Sequence, residues 1–268
     1  MAIVGSLAVH PVKSCAGFSA SRVTLAANGF AHDREWVVVD PRDHFLTQRD
    51  LPRMALLGTR ITSHHLQLDA LGAESLLVPL DHEGDSRVVT VWRAACPAFD
   101  AGDAAAEWLS AFLGRPVRLM RFDARHPRLS NADWTGDIAA PNFFPDGYPI
   151  LVLSRASVDD LGRRVGRPLP LERFRANVVL DGVEAYAEDG IREIDIGEVT
   201  LRLVKPCTRC VITTTDQTTG ERDGDEPLRT LKTYRHDRAL RGVVFGVNAV
   251  IVRGQGHAIE IGQPVALR

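Results

Sequence analysis

Apolar and polar residues alternate along short stretches of this chain, and turn residues separate the stretches at close intervals. Ala2 to His10, Ala20 to Ala26, Trp36 to Asp40, Leu56 to Thr62, Leu66 to Leu71 and Arg87 to Trp92 are β-leaning and predict strands. Asn28-Gly29, Asp40-Pro41 and Glu83-Gly84-Asp85 supply turn signals between them. Short strands at this spacing predict an antiparallel barrel or a curled sheet. The period then changes. Asp103 to Leu113 reads as a helix, with Ala104, Trp108, Ala111 and Phe112 on one face. Asp100 or Asp103 would cap it, and Gly114 would stop it ahead of Arg115-Pro116.

From about Asp123 to Tyr148 Pro, Asn, Asp and Gly recur without an apolar period. This predicts a long loop, and loops of that length inside a domain are usually functional. Pro149 to Leu153 follows as a buried strand, then a helix near Val158 to Val165 with Ser157 and Asp160 placed as a capping box. Asn177 to Leu180 is a second buried strand. Further strands are expected at Arg192 to Ile196, Val199 to Lys205, Cys210 to Thr215, Val243 to Arg253 and His257 to Ile261. Pro227 to Tyr234 fits a short helix with proline at its first position. The expected class is α+β, mainly β, with a boundary near residue 120: a β-rich region over 1–120 and a second domain over 121–268. No internal repeat is present.

Composition narrows the function classes. The 268 residues are 45% apolar and 25% charged, ordinary usage for a soluble globular chain. A net charge of −2 leaves no nucleic-acid footprint, and no apolar run is long enough to span a bilayer. The start, Met1-Ala2-Ile3-Val4-Gly5, lacks a basic leader and a cleavage site, so a cytoplasmic location is expected. Cys15, Cys96, Cys207 and Cys210 form neither a secreted disulfide framework nor an iron–sulfur spacing.

Candidate chemistry centres on Lys205-Pro206-Cys207-Thr208-Arg209-Cys210. A structural zinc site would need a second pair of ligands, which is absent. A thioredoxin-type dithiol sits at a helix N-terminus, whereas the β-branched residues after Cys210 predict a strand. What remains is a thiolate beside a guanidinium, suited to an anionic partner.

Five other segments carry polar residues. In His10-Pro11-Val12-Lys13-Ser14-Cys15-Ala16-Gly17 an ammonium, a hydroxyl and backbone N–H groups can converge on an anion; a solvated turn is the plainer alternative. His32-Asp33-Arg34-Glu35 reads most simply as a surface ion-pair cluster, and Thr47-Gln48-Arg49 as a polar strand end. Arg175 and Asn177, two apart on a strand, would share one side and suit phosphate recognition; alternatively, the arginines of Arg173-Phe174-Arg175 snorkel at the surface. Gly246, inside a strand, hints at close backbone approach.

Together these motifs resemble a known family. With Thr213-Thr214-x-Asp216, Leu231-Lys232-Thr233-Tyr234-Arg235, Phe245-Gly246-x-Asn248 and Ile261-Gly262-Gln263-Pro264-Val265, the chain resembles MOSC-domain proteins that carry an N-terminal MOSC-associated β-barrel region. Among them it is similar to the mitochondrial amidoxime-reducing component and its bacterial relatives. The resemblance implies a MOSC-type β-barrel at residues 121–268 and a barrel-like region before it. It also implies a molybdenum cofactor, Mo-molybdopterin, with Cys210 as the metal ligand and catalytic cysteine and Cys207 in support. Lys13, Arg34, Arg175 and Arg209 would hold the phosphate and pterin, Ser14 and Asn177 would add hydrogen bonds, and Asn248 would lie near the pterin or metal. Asp146-Gly147-Tyr148 matches a metal-proximal loop, with Gly147 and Tyr148 replacing hydroxyl-bearing residues of better-known members. Asp146 would relay protons, or simply shape an Asp-Gly turn.

The implied reaction is two-electron reduction of hydroxylamines, amidoximes and N-hydroxylated bases. Because the chain ends at Arg268 without a ferredoxin-like domain, electrons are expected from a separate ferredoxin or reductase. Two other readings stay open: a sulfur carrier or cofactor-transfer protein using a persulfide or transient ligand on Cys210, and a non-catalytic module for phosphorylated ligands.

Overall fold

The longest strand-forming run, Gly242–Arg253, is the backbone of the central sheet in the computed structural model, which describes residues 1–268. It pairs antiparallel with Val199–Thr208 on one side and Ile150–Ser154 on the other. Ile150–Ser154 runs parallel to Val178–Asp181, with the helix Arg155–Val165 in the connection between them, as a parallel pair requires. The chain's first strand, Ile3–Val9, extends this side by pairing antiparallel with Val178–Asp181, and Phe18–Ser19 pairs with it at the edge.

Side chains alternate across the sheet. Val152, Val178 and Leu201 point into one core with Val4, Leu7 and Val9 from the first strand. Leu151, Leu153 and Val179 point to the opposite face and pack against Val158 and Leu161 of the helix and against Phe245. Each such side chain contributes on the order of 1.5–3 kcal/mol through burial. A second body of sheet comprises Trp36–Val39, Arg118–Phe122, Ala94–Asp100 and Ser86–Val91, next to the meander Gly58–Ile61, His65–Asp69, Leu76–Pro79. The helix Asp103–Leu113 covers its core.

Local details differ from the sequence expectations. The first helix buries Ala105, Leu109, Phe112 and Leu113, while Ala104 and Ala111 are exposed; alanines on both faces blur the apolar stripe. Its cap is Gly102, whose N–H donates to Asp100 Oδ1 at 2.9 Å. Ser154, not Ser157, caps the next helix by accepting the Ser157 N–H at 3.1 Å. Asp160 instead pairs with Arg163 and Arg164. The segment expected as a loop from Asp123 to Tyr148 contains a short ladder, Arg128–Leu129 with Pro141–Asn142, and one helical turn, Ala132–Thr135. Residues Cys210 to Thr215 are not a strand: Val211–Thr214 is a 3₁₀ turn.

Candidate functional site

That 3₁₀ turn sets the position of Cys210, which is its extended N-terminal flanking residue. β-branched residues normally favour strands, but threonine hydroxyls offer the backbone a local alternative. Thr213 Oγ1 donates to Cys210 O at 3.0 Å and Thr214 Oγ1 to Val211 O at 2.8 Å. The turn is clipped from behind by Arg173, only 2% exposed. Its guanidinium donates to Thr215 O at 3.1 Å and to Asp216 and Asp223 at 3.1 and 3.2 Å. Arg173 is therefore buried structure, not a surface snorkel.

Arg209 leaves the long strand just before Cys210 and turns inward. Nε donates to Phe245 O and Nη1 to Phe174 O, each at 2.8 Å, while Nη2 is buried without a partner. Gly246 makes room for it. The glycine has φ +72°, and a Cβ there would lie 2.9 Å from Val152 O and 3.4 Å from Arg209 Nη2. The close approach expected at Gly246 is present.

Arg175 is not on a strand. It ends the 3₁₀ turn Leu171–Phe174 in a left-handed conformation, φ 55°, and the strand begins at Val178. Arg175 and Asn177 nevertheless face the same cleft. Arg175 donates through Nη1 to Cys15 O, and its Nη2 is a second buried donor without a partner. Burial, and then the neighbouring Arg34, bring its pKa down to about 10. Arg34 is also left-handed, φ 50°. It donates to Asn177 Oδ1 and to Arg175 O, both at 2.9 Å, and pairs with Asp33. Asp33, Arg34 and Glu35 are all buried, so this segment is an interior network and not a surface cluster.

Ser14 is a third left-handed site residue, φ 65°. Beside it Lys13, 5% exposed, donates to Phe144 O at 2.8 Å and Asp146 Oδ1 at 2.6 Å. Burial lowers the Lys13 pKa, and Asp146 opposes that shift. Desolvation pushes the Asp146 carboxyl up, but Lys13 outweighs it and holds the group well below the ordinary carboxylate range. Asn248 donates to Lys205 O at 3.1 Å. Burial, and then Asp133, raise the Tyr148 hydroxyl to about 12, and Cys207's thiol is also raised by burial.

Lys13, Ser14, Arg34, Asp146, Gly147, Tyr148, Arg175, Asn177, Arg209, Cys210 and Asn248 all line this one cleft. Arg173, Thr208 and Thr213 line it too without having been singled out as ligand contacts. Arg173's position two residues before Arg175 was the available signal.

Chemically, the cleft asks for an anion. A buried donor without a partner costs about 1–3 kcal/mol, and left-handed non-glycine backbone about 1 kcal/mol or more. Three site residues carry such backbone, and Arg175 and Arg209, which line the cleft, each keep one buried guanidinium nitrogen unpaired. A phosphate-bearing ligand would satisfy both nitrogens. The cleft has a volume of about 140 Å³.

Comparison with known proteins agrees with this architecture. Residues 1–116 match the MOSC N-terminal beta barrel domain and residues 140–266 the MOSC domain. The chain is 35% identical over 280 residues to mitochondrial amidoxime-reducing component 1 of Mus musculus, covering 98% of this chain and 82% of the relative. It is 34% identical to the Homo sapiens protein of the same name, with the same coverage, and 34% identical to that of Danio rerio, covering 98% and 84%. With both domains matched in order and nearly its whole length aligned, the chain belongs to the MOSC-domain family of the amidoxime-reducing components.

Proposed function

We propose that this protein is a molybdenum-cofactor-dependent reductase of N-hydroxylated compounds, supplied with electrons by a separate protein. The observation that carries the reading is that Arg175 and Arg209, which line the cleft together with Cys210, each keep a buried Nη2 without a partner. They fit the phosphate of a pterin cofactor, and Cys210 supplies the soft thiolate that a metal held by dithiolene sulfurs accepts. Lys13 and Arg34 add charge, and Ser14, Asn177 and Asn248 add hydrogen bonds. When bound, the cofactor supplies the two-electron chemistry that breaks the N–O bond.

The overall reaction consumes two electrons and two protons. An amidoxime becomes an amidine and its oxygen leaves as water. This chain's residues would manage the protons. The Lys13 ammonium, acidified by burial, can donate, and Asp146, more than half exposed at the cleft mouth, can return a proton from solvent. Asp146 itself is ionised at neutral pH, so its role is relay and not reservoir. The backbone of Gly147 and the ring of Tyr148 shape the side facing the substrate.

The arrangement of the cysteines supports a separate electron donor. Cys15 and Cys96 are buried in different cores, and only Cys207 and Cys210 reach the cleft, so no set of four can hold a cluster.

The test is expression in a host that makes the cofactor, followed by molybdenum and pterin analysis and by benzamidoxime reduction with reduced methyl viologen. Near-stoichiometric molybdenum and turnover are expected, with both lost in Cys210→Ala. A protein that holds molybdenum but never reduces benzamidoxime, or that carries persulfide on Cys210, would replace this reading with sulfur or cofactor transfer.

A further inference from the structure

A second cavity of about 440 Å³ adjoins the cleft and shares Asp146, Gly147 and Tyr148 with it. Its size falls within the roughly 300–1,000 Å³ of small-molecule sites. Part of its wall is the tip of the hairpin between Ser86–Val91 and Ala94–Asp100, where Val91 pairs with Ala94 across the two-residue loop Trp92-Arg93. Trp92 has φ 56°, and the first central position of such a tight loop with positive φ is ordinarily glycine. A tryptophan there is strained, and half of it is exposed. Strain of this kind clusters at ligand sites. Trp92 is held in place by its Nε1, which donates to Asp146 Oδ1 at 3.1 Å, by the Arg49 guanidinium 4.6 Å from its ring centroid, and by Phe45 at 5.2 Å. The ring is thus fixed beside the site although it adds little to any core.

The charges around this cavity are one-sided. Arg93, Arg128 and Lys205 line it. Arg128 is bound by neutral acceptors, Asn142 Oδ1 at 2.8 Å and Pro145 O. Lys205 has aromatic neighbours, lying 5.3 Å from the Trp134 ring and 5.8 Å from Tyr148. None of the three has a carboxylate ion-pair partner. The one lining carboxylate, Asp146, is already engaged by Lys13 and Arg49.

We infer that this cavity receives the substrate and selects planar aromatic N-hydroxylated molecules that carry a negative charge. The inference rests on the reductase reading. The aromatic body would lie between Trp92 and Tyr148, the anion would meet Arg93 and Lys205, and the N–O group would reach past Asp146 toward the Cys210 cleft.

The molybdenum-loaded protein is assayed with benzamidoxime, 4-carboxybenzamidoxime and its neutral isostere 4-carbamoylbenzamidoxime. The carboxylate compound is expected to show a kcat/KM about tenfold above the isostere at low salt, mostly through KM, the worth of a few partly exposed ion pairs. The advantage shrinks at high ionic strength, and Arg93→Gln with Lys205→Gln removes it while benzamidoxime turnover persists. Titration calorimetry of the oxidised, molybdenum-loaded protein with 4-carboxybenzamidoxime, without reductant, gives a second readout, weakened in the same double variant. Equal kcat/KM for the two isosteres, or loss of molybdenum in the double variant, overturns the inference. If benzamidoxime itself is not reduced, the reductase reading has failed instead.

Discussion

Lys13 and Asp146 join the two halves of the chain through one short ion pair at the cleft mouth. The ammonium is buried and the carboxylate is not, which makes their contributions to stability unequal. Lys13 has a folded pKa below its unfolded one, near 10.4, so the folded state resists the proton. That penalty applies below the folded pKa and is relieved as pH rises toward 10.4. Asp146 has a depressed pKa, so its contribution is present above the unfolded value of about 3.9 and is lost in acid. Asp146→Asn would leave the ammonium with Phe144 O and a neutral amide, at a cost of about 1–2 kcal/mol at pH 7. That deficit is expected to narrow toward pH 10, as Lys13 discharges. Urea unfolding of both proteins from pH 6 to pH 10 checks this; a gap that stays constant with pH would mean that Asp146 does not hold the ammonium. At this scale much of the site was legible. Lys13, Arg34, Arg175 and Arg209 stand out through the family resemblance, whereas residue types alone make the Arg34 segment a surface ion-pair cluster and the arginine run a set of snorkels. Trp92 was not legible, and Arg173 was legible only as part of the Arg173-Phe174-Arg175 run, without its structural role. The partners that give them meaning, Asp146 and the Thr213–Asp223 segment, lie 40 or more positions away.

The element that matters most for the position of Cys210 is the 3₁₀ turn that follows it. A run of valine, isoleucine and threonines reads as a strand by propensity, yet strand formation needs a neighbouring edge. Here the preceding strand Val199–Thr208 already pairs along its length with Gly242–Arg253, and the chain then turns back on Arg173. Local hydroxyl bonds and one buried guanidinium override propensity, as tertiary context commonly does. By contrast, Pro149 to Leu153 and Asn177 to Leu180 were read correctly as buried strands, because unbroken apolar runs admit few other fates. Arg173→Met should therefore loosen this turn specifically. The Thr213 and Thr215 carbonyls would lose their donor and Asp216 and Asp223 their shared cation, for about 2–3 kcal/mol. Protein expressed with cofactor should then hold less molybdenum at 25 °C while retaining its far-ultraviolet circular dichroism. Unchanged metal content, measured by mass spectrometry, would show that the turn positions Cys210 without Arg173.

Across the whole molecule, the family boundaries and the physical ones do not coincide. Residues 1–116 match one domain and 140–266 the other, yet Ile3–Val9 is a strand of the sheet that residues 150–253 build. Arg22–Ala26 likewise pairs with Ala258–Glu260 near the chain's other end. Sequence periodicity reveals strands but not which sheet they join, so this interleaving was invisible beforehand. It has a functional consequence, since Lys13 and Ser14 follow directly from the shared strand Ile3–Val9, Arg34 is tied back beside it by its N–H to His10 O, and all three reach a cleft whose other residues come from the second half. Folding and site assembly are thereby one event. A fragment of residues 121–268 would leave Val178–Asp181 with an unpaired edge and remove Val4, Leu7, Val9, Val23, Leu25 and Phe30 from the core. At about 1.5–3 kcal/mol for each large side chain, this loss approaches or exceeds the 5–15 kcal/mol of a typical domain. The fragment is expected to lack a cooperative thermal transition, and the full chain to unfold in a single step in guanidinium whether followed by tryptophan fluorescence or by circular dichroism. Two resolved transitions in the full chain, or a fragment that melts cooperatively, would mean that the halves fold independently and that the cleft forms only when they dock.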